Sequence, residues 1–308
     1  MIVIKDAINS SERLSVEEVG RLQEETEVNP VIWIQGAACT GCAISLMNSP
    51  YPRLKNLLLD ELVPGKSIGL KFMATLMGGT GKMALEVLER TKSARGYILV
   101  VDGAVPIGQD GKFCTVGDEP FSDQVARLGE DASAVVNIGT CSSYGGIPSG
   151  NPNLTDCISV SEHLKQMGIL TPAINVPGCP PEPSWFVDTL AHVIISGIPQ
   201  EDEVDDAGRL KEVYGELIHN HCPRRGDFST GNFARTIGEE GCLVEVGCKG
   251  PYTNSPCPNR GWLEGLNWPI RNNHPCIGCT EPGFPDLMSP FYKKFGMEEA
   301  EEMYRRLK

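Results

Sequence analysis

No stretch of this 308-residue chain holds about 18 apolar residues in a row, so nothing in it reads as a membrane span. The longest apolar runs, such as Ile98 to Val101, have the length of a buried strand. Positive charge is scarce as well. Against 40 Asp and Glu stand 27 Lys and Arg, a net charge of −13, which disfavours nucleic acid or an anionic membrane surface as a partner. The first residues, Met1-Ile-Val-Ile-Lys-Asp6, have no basic region leading into an apolar stretch. The paired arginines Arg224-Arg225 and Arg305-Arg306 lie far from the start, so a twin-arginine export signal is not expected and a cytoplasmic location is. A phosphate loop is also missing: Gly78-Gly-Thr-Gly-Lys82 has Leu76 where a Walker A motif needs glycine. It reads as a turn and helix start. There is no internal repeat and no low-complexity tract.

What the chain does have is cysteine. Twelve are present, six of them crowded between Cys222 and Cys279. A cytosolic chain keeps its thiols reduced, so metal ligation explains them better than disulfides do. Gly (34) and Pro (23) are plentiful, which predicts much loop.

The first thirty residues read as a peripheral extension. Ser15-Val-Glu-Glu18 is a capping box, flanked by Leu14 and Val19 as a hydrophobic staple, and predicts a short helix from Val16 to about Thr26, closed by Pro30. From Val31 to residue 198, strand and helix patterns alternate. Strands are expected at Val31–Gln35, Ile68–Leu76, Tyr97–Val101, Ala134–Ile138 and Ala173–Val176. Helices are expected from Ala43 and over Lys82–Thr91, Ser122–Leu128, Ser161–Met167 and Trp185–Ser196. Repeated βα units imply a parallel sheet covered on both faces, an α/β, flavodoxin-like doubly wound domain. The acidic, turn-rich stretch Pro199–Arg209 marks a boundary. Residues 199–308 form a second, loop-rich unit in which metal ligation would stand in for a hydrophobic core.

Cys39-Thr-Gly-Cys42 follows the first strand, Cys141 the strand ending Asn137-Ile138, and Cys179 the strand at Ile174–Val176. Carboxyl ends of parallel strands converge on one crevice, and four thiolates there match a cubane iron–sulfur cluster. The competing reading is four unrelated buried thiols. Cys39 and Cys42 also suit a thioredoxin-type redox pair, but that leaves the other candidates unexplained. In Ile218-His-Asn-His-Cys222, His219 and Cys222 stand at i, i+3, with His221 as a rival ligand. Cys242 and Cys248 follow in Gly-rich loops and complete a set of one histidine and three cysteines. Cys257, Cys276 and Cys279 make a set of three, which suits a cluster lacking one iron corner. Structural zinc prefers paired CxxC motifs with four ligands per site, and the two CxxC pairs here lie far apart. Cys114 and Cys157 fit no set.

At this point the chain resembles the small, iron–sulfur subunit of [NiFe] hydrogenases, from about Val31 to Pro290. The resemblance is carried by Gly36-Ala-Ala-Cys-Thr-Gly-Cys42, Gly139-Thr-Cys-Ser-Ser-Tyr-Gly-Gly-Ile-Pro148, Val176-Pro-Gly-Cys-Pro-Pro181, Ile218-His-Asn-His-Cys-Pro-Arg-Arg-Gly226, Asn267-Trp-Pro-Ile270 and His274-Pro-Cys-Ile-Gly-Cys-Thr-Glu-Pro-Gly-Phe-Pro285. It implies a proximal [4Fe-4S] cluster on Cys39, Cys42, Cys141 and Cys179. A distal [4Fe-4S] cluster would take His219, Cys222, Cys242 and Cys248, and a medial [3Fe-4S] cluster Cys257, Cys276 and Cys279. It further implies a large-subunit partner carrying the nickel–iron centre in a heterodimer or a multimer of heterodimers, and an external redox acceptor or donor yet to be named. The resemblance allows a hydrogen-sensing complex in place of a turnover enzyme, and the metal sets alone allow a zinc-stapled binding module. Family members often have Glu before the first cluster cysteine, where this chain has Ala38. The oxygen-tolerant subgroup has two extra cysteines at positions matching Gly41 and Gly146, so a conventional four-cysteine proximal site is implied.

Overall fold

The computed structural model describes residues 26–51 and 53–296, together with positions 298, 299, 301 and 305. The expected capping box at Ser15 and the helix from Val16 to Glu25 lie outside the described residues. Thr26 is a bend, not a last helical turn.

Five parallel strands and one antiparallel edge strand form the central sheet. They are β1 (Glu27–Gln35), β2 (Glu61–Val63), β3 (Lys66–Met73), β4 (Ile98–Asp102), β5 (Ala134–Ile138) and β6 (Ala173–Val176), in the spatial order β6-β5-β4-β1-β3-β2. The parallel part has the flavodoxin order, whose switch point falls where the chain leaves β1. β1 begins earlier than expected, because Pro30 does not close the segment that precedes the sheet. Over Glu27–Pro30 the strand pairs with β3 alone, and β4 joins only from Val31, so a residue lacking N–H is tolerated on the open side. β3 stops at Met73 rather than Leu76, where a turn begins.

Alternation along β1 sends Val31 and Trp33 to one face and Ile32 and Ile34 to the other, and each face carries its own core. One layer contains α1 (Gly41–Met47), α2 (Leu54–Leu59) and α7 (Pro183–Ser196). The opposite layer contains α3 (Gly81–Ala94), α4 (Phe121–Asp131) and α6 (Val160–Gln166), and the short α5 (Thr140–Tyr144) follows β5. β5 is buried along its whole length, as a strand covered on both sides must be.

The first of these cores runs on past residue 199. Trp185 of α7 meets Tyr214 and Trp262 edge-on at 5.8 and 6.4 Å, and the Tyr214 hydroxyl donates to the Pro177 carbonyl at 2.9 Å. Beyond residue 199 the described chain is short helical turns, with no strand longer than an isolated bridge among the described residues.

His163 of α6 is buried and shares a 2.8 Å hydrogen bond with the Ser122 carbonyl of α4. Burial pulls its imidazole below the ordinary 6.5, with the Ser122 carbonyl and Asp123 pulling the other way. Below that pH the unfolded chain takes up a proton that the folded chain resists, so stability falls with falling pH. Chemical denaturation at about pH 7.5 and about pH 5.5 should show the midpoint dropping in the wild type and dropping less in His163→Gln. Equal drops would remove His163 from the account.

Candidate metal–sulfur centres

The Gly36–Cys42 loop leaves β1 at the switch point. It is fixed by Gly36 N–H to Asp102 O at 2.8 Å and by reciprocal bonds between Ala37 and Ala104 at 3.0 and 3.1 Å. No bulk is tolerated at Gly36, because a Cβ there would stand 2.2 Å from the Phe121 ring. Cys39 and Cys42 lie on this loop and the first turn of α1. Cys141 opens α5 behind Gly139, and Cys179 follows β6 behind Gly178. The four come together: Cys42 is influenced by Cys141 and Cys179, Cys141 by Cys179 and Cys39, and Cys179 by Cys39. Gly41 lies against the Cys39 sulfur and Gly146 against that of Cys141, where a Cβ would sit at 3.1 and 3.0 Å. The positions that bear extra cysteines in the six-cysteine pattern therefore flank this crevice.

Past residue 199, His219 lies on the 3₁₀ turn Ile218–His221, and Cys222 caps it in extended conformation. Three residues make one turn of a 3₁₀ helix, so the two side chains still share a side. His219, Cys222, Cys242 and Cys248 all line one small cavity with Ile218 and Arg224. His221 does not line it. It is exposed and faces Glu216 at 3.6 Å. Cys242 is placed by its N–H to Asn232 O at 2.8 Å, and the Gly250 N–H points at the Cys248 sulfur at 3.5 Å.

Cys257, Cys276 and Cys279 form the third group, Cys276 influenced by both of the others and Cys279 by Cys257. The Ser255 hydroxyl donates to the Cys257 sulfur at 3.1 Å, and the Gly278 N–H reaches the Cys276 sulfur at 3.4 Å. The groups also touch one another. Cys279 is influenced by Cys179 of the crevice, and Cys276 by Cys248 of the histidine set. The set of three stands between the other two.

All twelve cysteines are free thiols. Burial is the first cause of every thiol shift in the three groups. It pushes Cys141 and Cys279 up to about 12 and Cys248 and Cys257 to about 11, and it carries Cys42 and Cys276 well above the ordinary 9.0. Such thiols stay protonated at neutral pH unless a metal replaces the proton. Among the described residues, no three His, Cys, Asp or Glu side chains converge as the ligands of a single ion. The donor sets (sulfur with one imidazole, backbone N–H groups aimed at sulfur, glycines where a Cβ would fill the space) fit iron–sulfur clusters. Cys114 and Cys157 lie apart from all three groups. Cys114 packs at the edge of the second core and feels Cys157, which lies 3.1 Å from the Thr155 hydroxyl.

Sequence reasoning missed several polar residues here. Asp102 ends β4 fully buried beside Cys42, and neither carboxylate oxygen finds a hydrogen bond of good geometry. Burial pushes its carboxyl up to about 6, and Cys42 draws it down. Thr140 ties two groups together, accepting from Gly178 N–H at 2.9 Å and donating to the Cys279 carbonyl. Arg209 is 4% exposed and binds Asp205 at 2.7 Å, Glu281 at 3.0 Å and the Thr280 carbonyl at 3.1 Å. Strand-end position was a signal for Asp102. For Thr140 and Arg209 nothing in the local sequence was.

Residues 39–193 match the family profile of the 20 Kd NADH ubiquinone oxidoreductase subunit, and residues 214–292 match that of the C-terminal part of NiFe/NiFeSe hydrogenase small subunits. The chain is 39% identical over 292 residues to the periplasmic [NiFeSe] hydrogenase small subunit of Desulfomicrobium baculatum, covering 89% of this chain and 90% of the relative. It is 38% identical over 270 residues to the periplasmic [NiFe] hydrogenase small subunit of Solidesulfovibrio fructosivorans, covering 86% and 81%. A solved structure of the H2-activated Dm. baculatum [NiFeSe]-hydrogenase superposes with a TM-score of 0.81 at 39% identity, over 88% of this chain and all of that one. With the crevice, the histidine set and the C-terminal turns in place, this chain belongs to the family of [NiFe] and [NiFeSe] hydrogenase small subunits.

Proposed function

We propose that the chain is the electron-transfer subunit of a hydrogenase, paired with a large subunit that carries the nickel–iron centre and performs the hydrogen chemistry. What supports this reading is the row of three thiol groups, with Cys179 beside Cys279 and Cys276 beside Cys248. Cys39, Cys42, Cys141 and Cys179 would hold a proximal [4Fe-4S] cluster. Cys257, Cys276 and Cys279 would hold a medial [3Fe-4S] cluster, and His219, Cys222, Cys242 and Cys248 a distal [4Fe-4S] cluster. Clusters of this kind supply one-electron redox chemistry at potentials set by ligand, hydrogen bonding and burial. The chain's own part is to hold the ligands, aim N–H groups at their sulfurs and exclude water from them. The sheet-end crevice would face the large subunit. Ile44, Met47 and Ile147, all exposed apolar residues close to it in the chain, suit a covered surface.

Anaerobic iron analysis and electron paramagnetic resonance test this. About eleven irons per chain, and a [3Fe-4S] signal in the isolated complex that vanishes under hydrogen, are expected. Zinc in colourless protein would overturn it. Among the described residues no helix is long and apolar enough to cross a membrane. The two relatives named above are periplasmic, so cell fractionation decides the compartment, and release by osmotic shock would overturn the cytoplasmic expectation.

A further inference from the structure

Lys249 stands next to Cys248 in the chain, and its side chain is almost entirely buried, at 1% exposure. Its backbone stitches two thiol groups together. The Lys249 N–H donates to the Cys276 carbonyl at 2.8 Å, and the Lys249 carbonyl accepts from the Thr253 hydroxyl at 2.7 Å, which itself lies 3.8 Å from the Cys276 sulfur. The ammonium donates to the Lys293 carbonyl at 3.0 Å and sits 3.2 Å from the centre of the Phe295 ring. Among the described residues no carboxylate lies within ion-pair distance of it, and Glu299 is the carboxylate whose charge it feels. An ammonium taken out of water without a close anion is costly, and one carbonyl and one ring face do not restore what water gave. Iron-bound thiolates at Cys248 and Cys276, both of which act on it electrostatically, would.

We infer that Lys249 is a positioning residue that sets the reduction potentials of the medial and distal centres together, its positive charge carried on a backbone that adjoins Cys248 of one and bonds to Cys276 of the other. This rests on the ligand sets proposed above. Reduction adds negative charge to a centre, so a nearby cation favours the reduced form and raises the potential. Among the described residues no lysine or arginine acts on Cys42, Cys141 or Cys179, so the proximal set is the internal control.

The test is a spectroscopic redox titration of the intact complex for wild type, Lys249→Met, Lys249→Arg and Phe295→Leu. Lys249→Met should shift the medial and distal midpoints to more negative values and leave the proximal one in place. Lys249→Arg keeps the charge and should keep the wild-type midpoints even if the chain around residues 291–296 repacks. Phe295→Leu loosens the same contact without removing charge and should not reproduce the shift. Unmoved midpoints in a Lys249→Met complex that retains its clusters, or equal shifts in Phe295→Leu, overturn the inference. If Lys249→Met does not assemble, a shift in Lys249→Arg overturns it. A wild-type complex without three cluster signals overturns the ligand assignment instead, which keeps the two failures apart.

Discussion

Replacing Gly139 by alanine should lower the iron content of the purified complex from the proposed about eleven to about seven per chain, with the crevice centre lost and the other two retained. The cause is local. Gly139 lies between β5 and α5 at φ 89°, ψ 156°, a conformation open only to glycine. A Cβ there would stand 2.4 Å from the Cys42 sulfur. The backbone cannot yield without breaking Gly139 N–H to Val176 O, 2.9 Å, and Thr140 N–H to Gly178 O, 3.0 Å, which hold the ends of β5 and β6 together. The sulfur must leave, and with it one corner of the set. Backbone strain adds a cost of about 1–3 kcal/mol. Iron and labile-sulfide analysis measures the effect, and unchanged iron would mean that Cys42 is not a ligand.

Removing the Glu281 carboxylate should produce the largest loss of stability. Glu281→Ala strips a buried Arg209 of one of its two carboxylates and leaves the Asn254 N–H without its acceptor. Breaking one side of a buried ion pair costs about 3–5 kcal/mol, because the remaining charge stays out of water. Glu281→Gln keeps acceptors for both neighbours and should lose less. Arg209→Met combined with Glu281→Leu should recover much of the loss, since the uncompensated charge goes with its partner. Anaerobic urea denaturation, read by tryptophan emission, ranks the three variants. If Glu281→Ala were no worse than Glu281→Gln, the charge pairing would carry nothing.

The parts of the fold legible in the sequence were those with local causes. Ala134–Ile138 and Ala173–Val176 are mostly apolar strands, each with one asparagine, and the structure gives them the same ends. Spacing and strand-end placement sort the thiols into the three proposed sets, whose members are neighbours in the fold. Other features depended on distant neighbours. Pro30 read as a stop until the one-sided pairing of β1 explained its place. The edge strand β2 is three residues long and takes its identity from β3 alone. Lys249 and the Arg209–Glu281 pair look like ordinary polar residues in the sequence. Their burial comes from segments far away in the chain, and no local pattern encodes it.

The Thr140 hydroxyl ties the sheet-end crevice to a residue made much later in the chain. It lies one residue before Cys141, yet the carbonyl it donates to belongs to Cys279, near the end of the described chain. Until translation has passed Cys279, that hydroxyl has no such partner. The sheet-end crevice thus depends on a contact of high sequence separation, whose loop-closure entropy must be met before it forms.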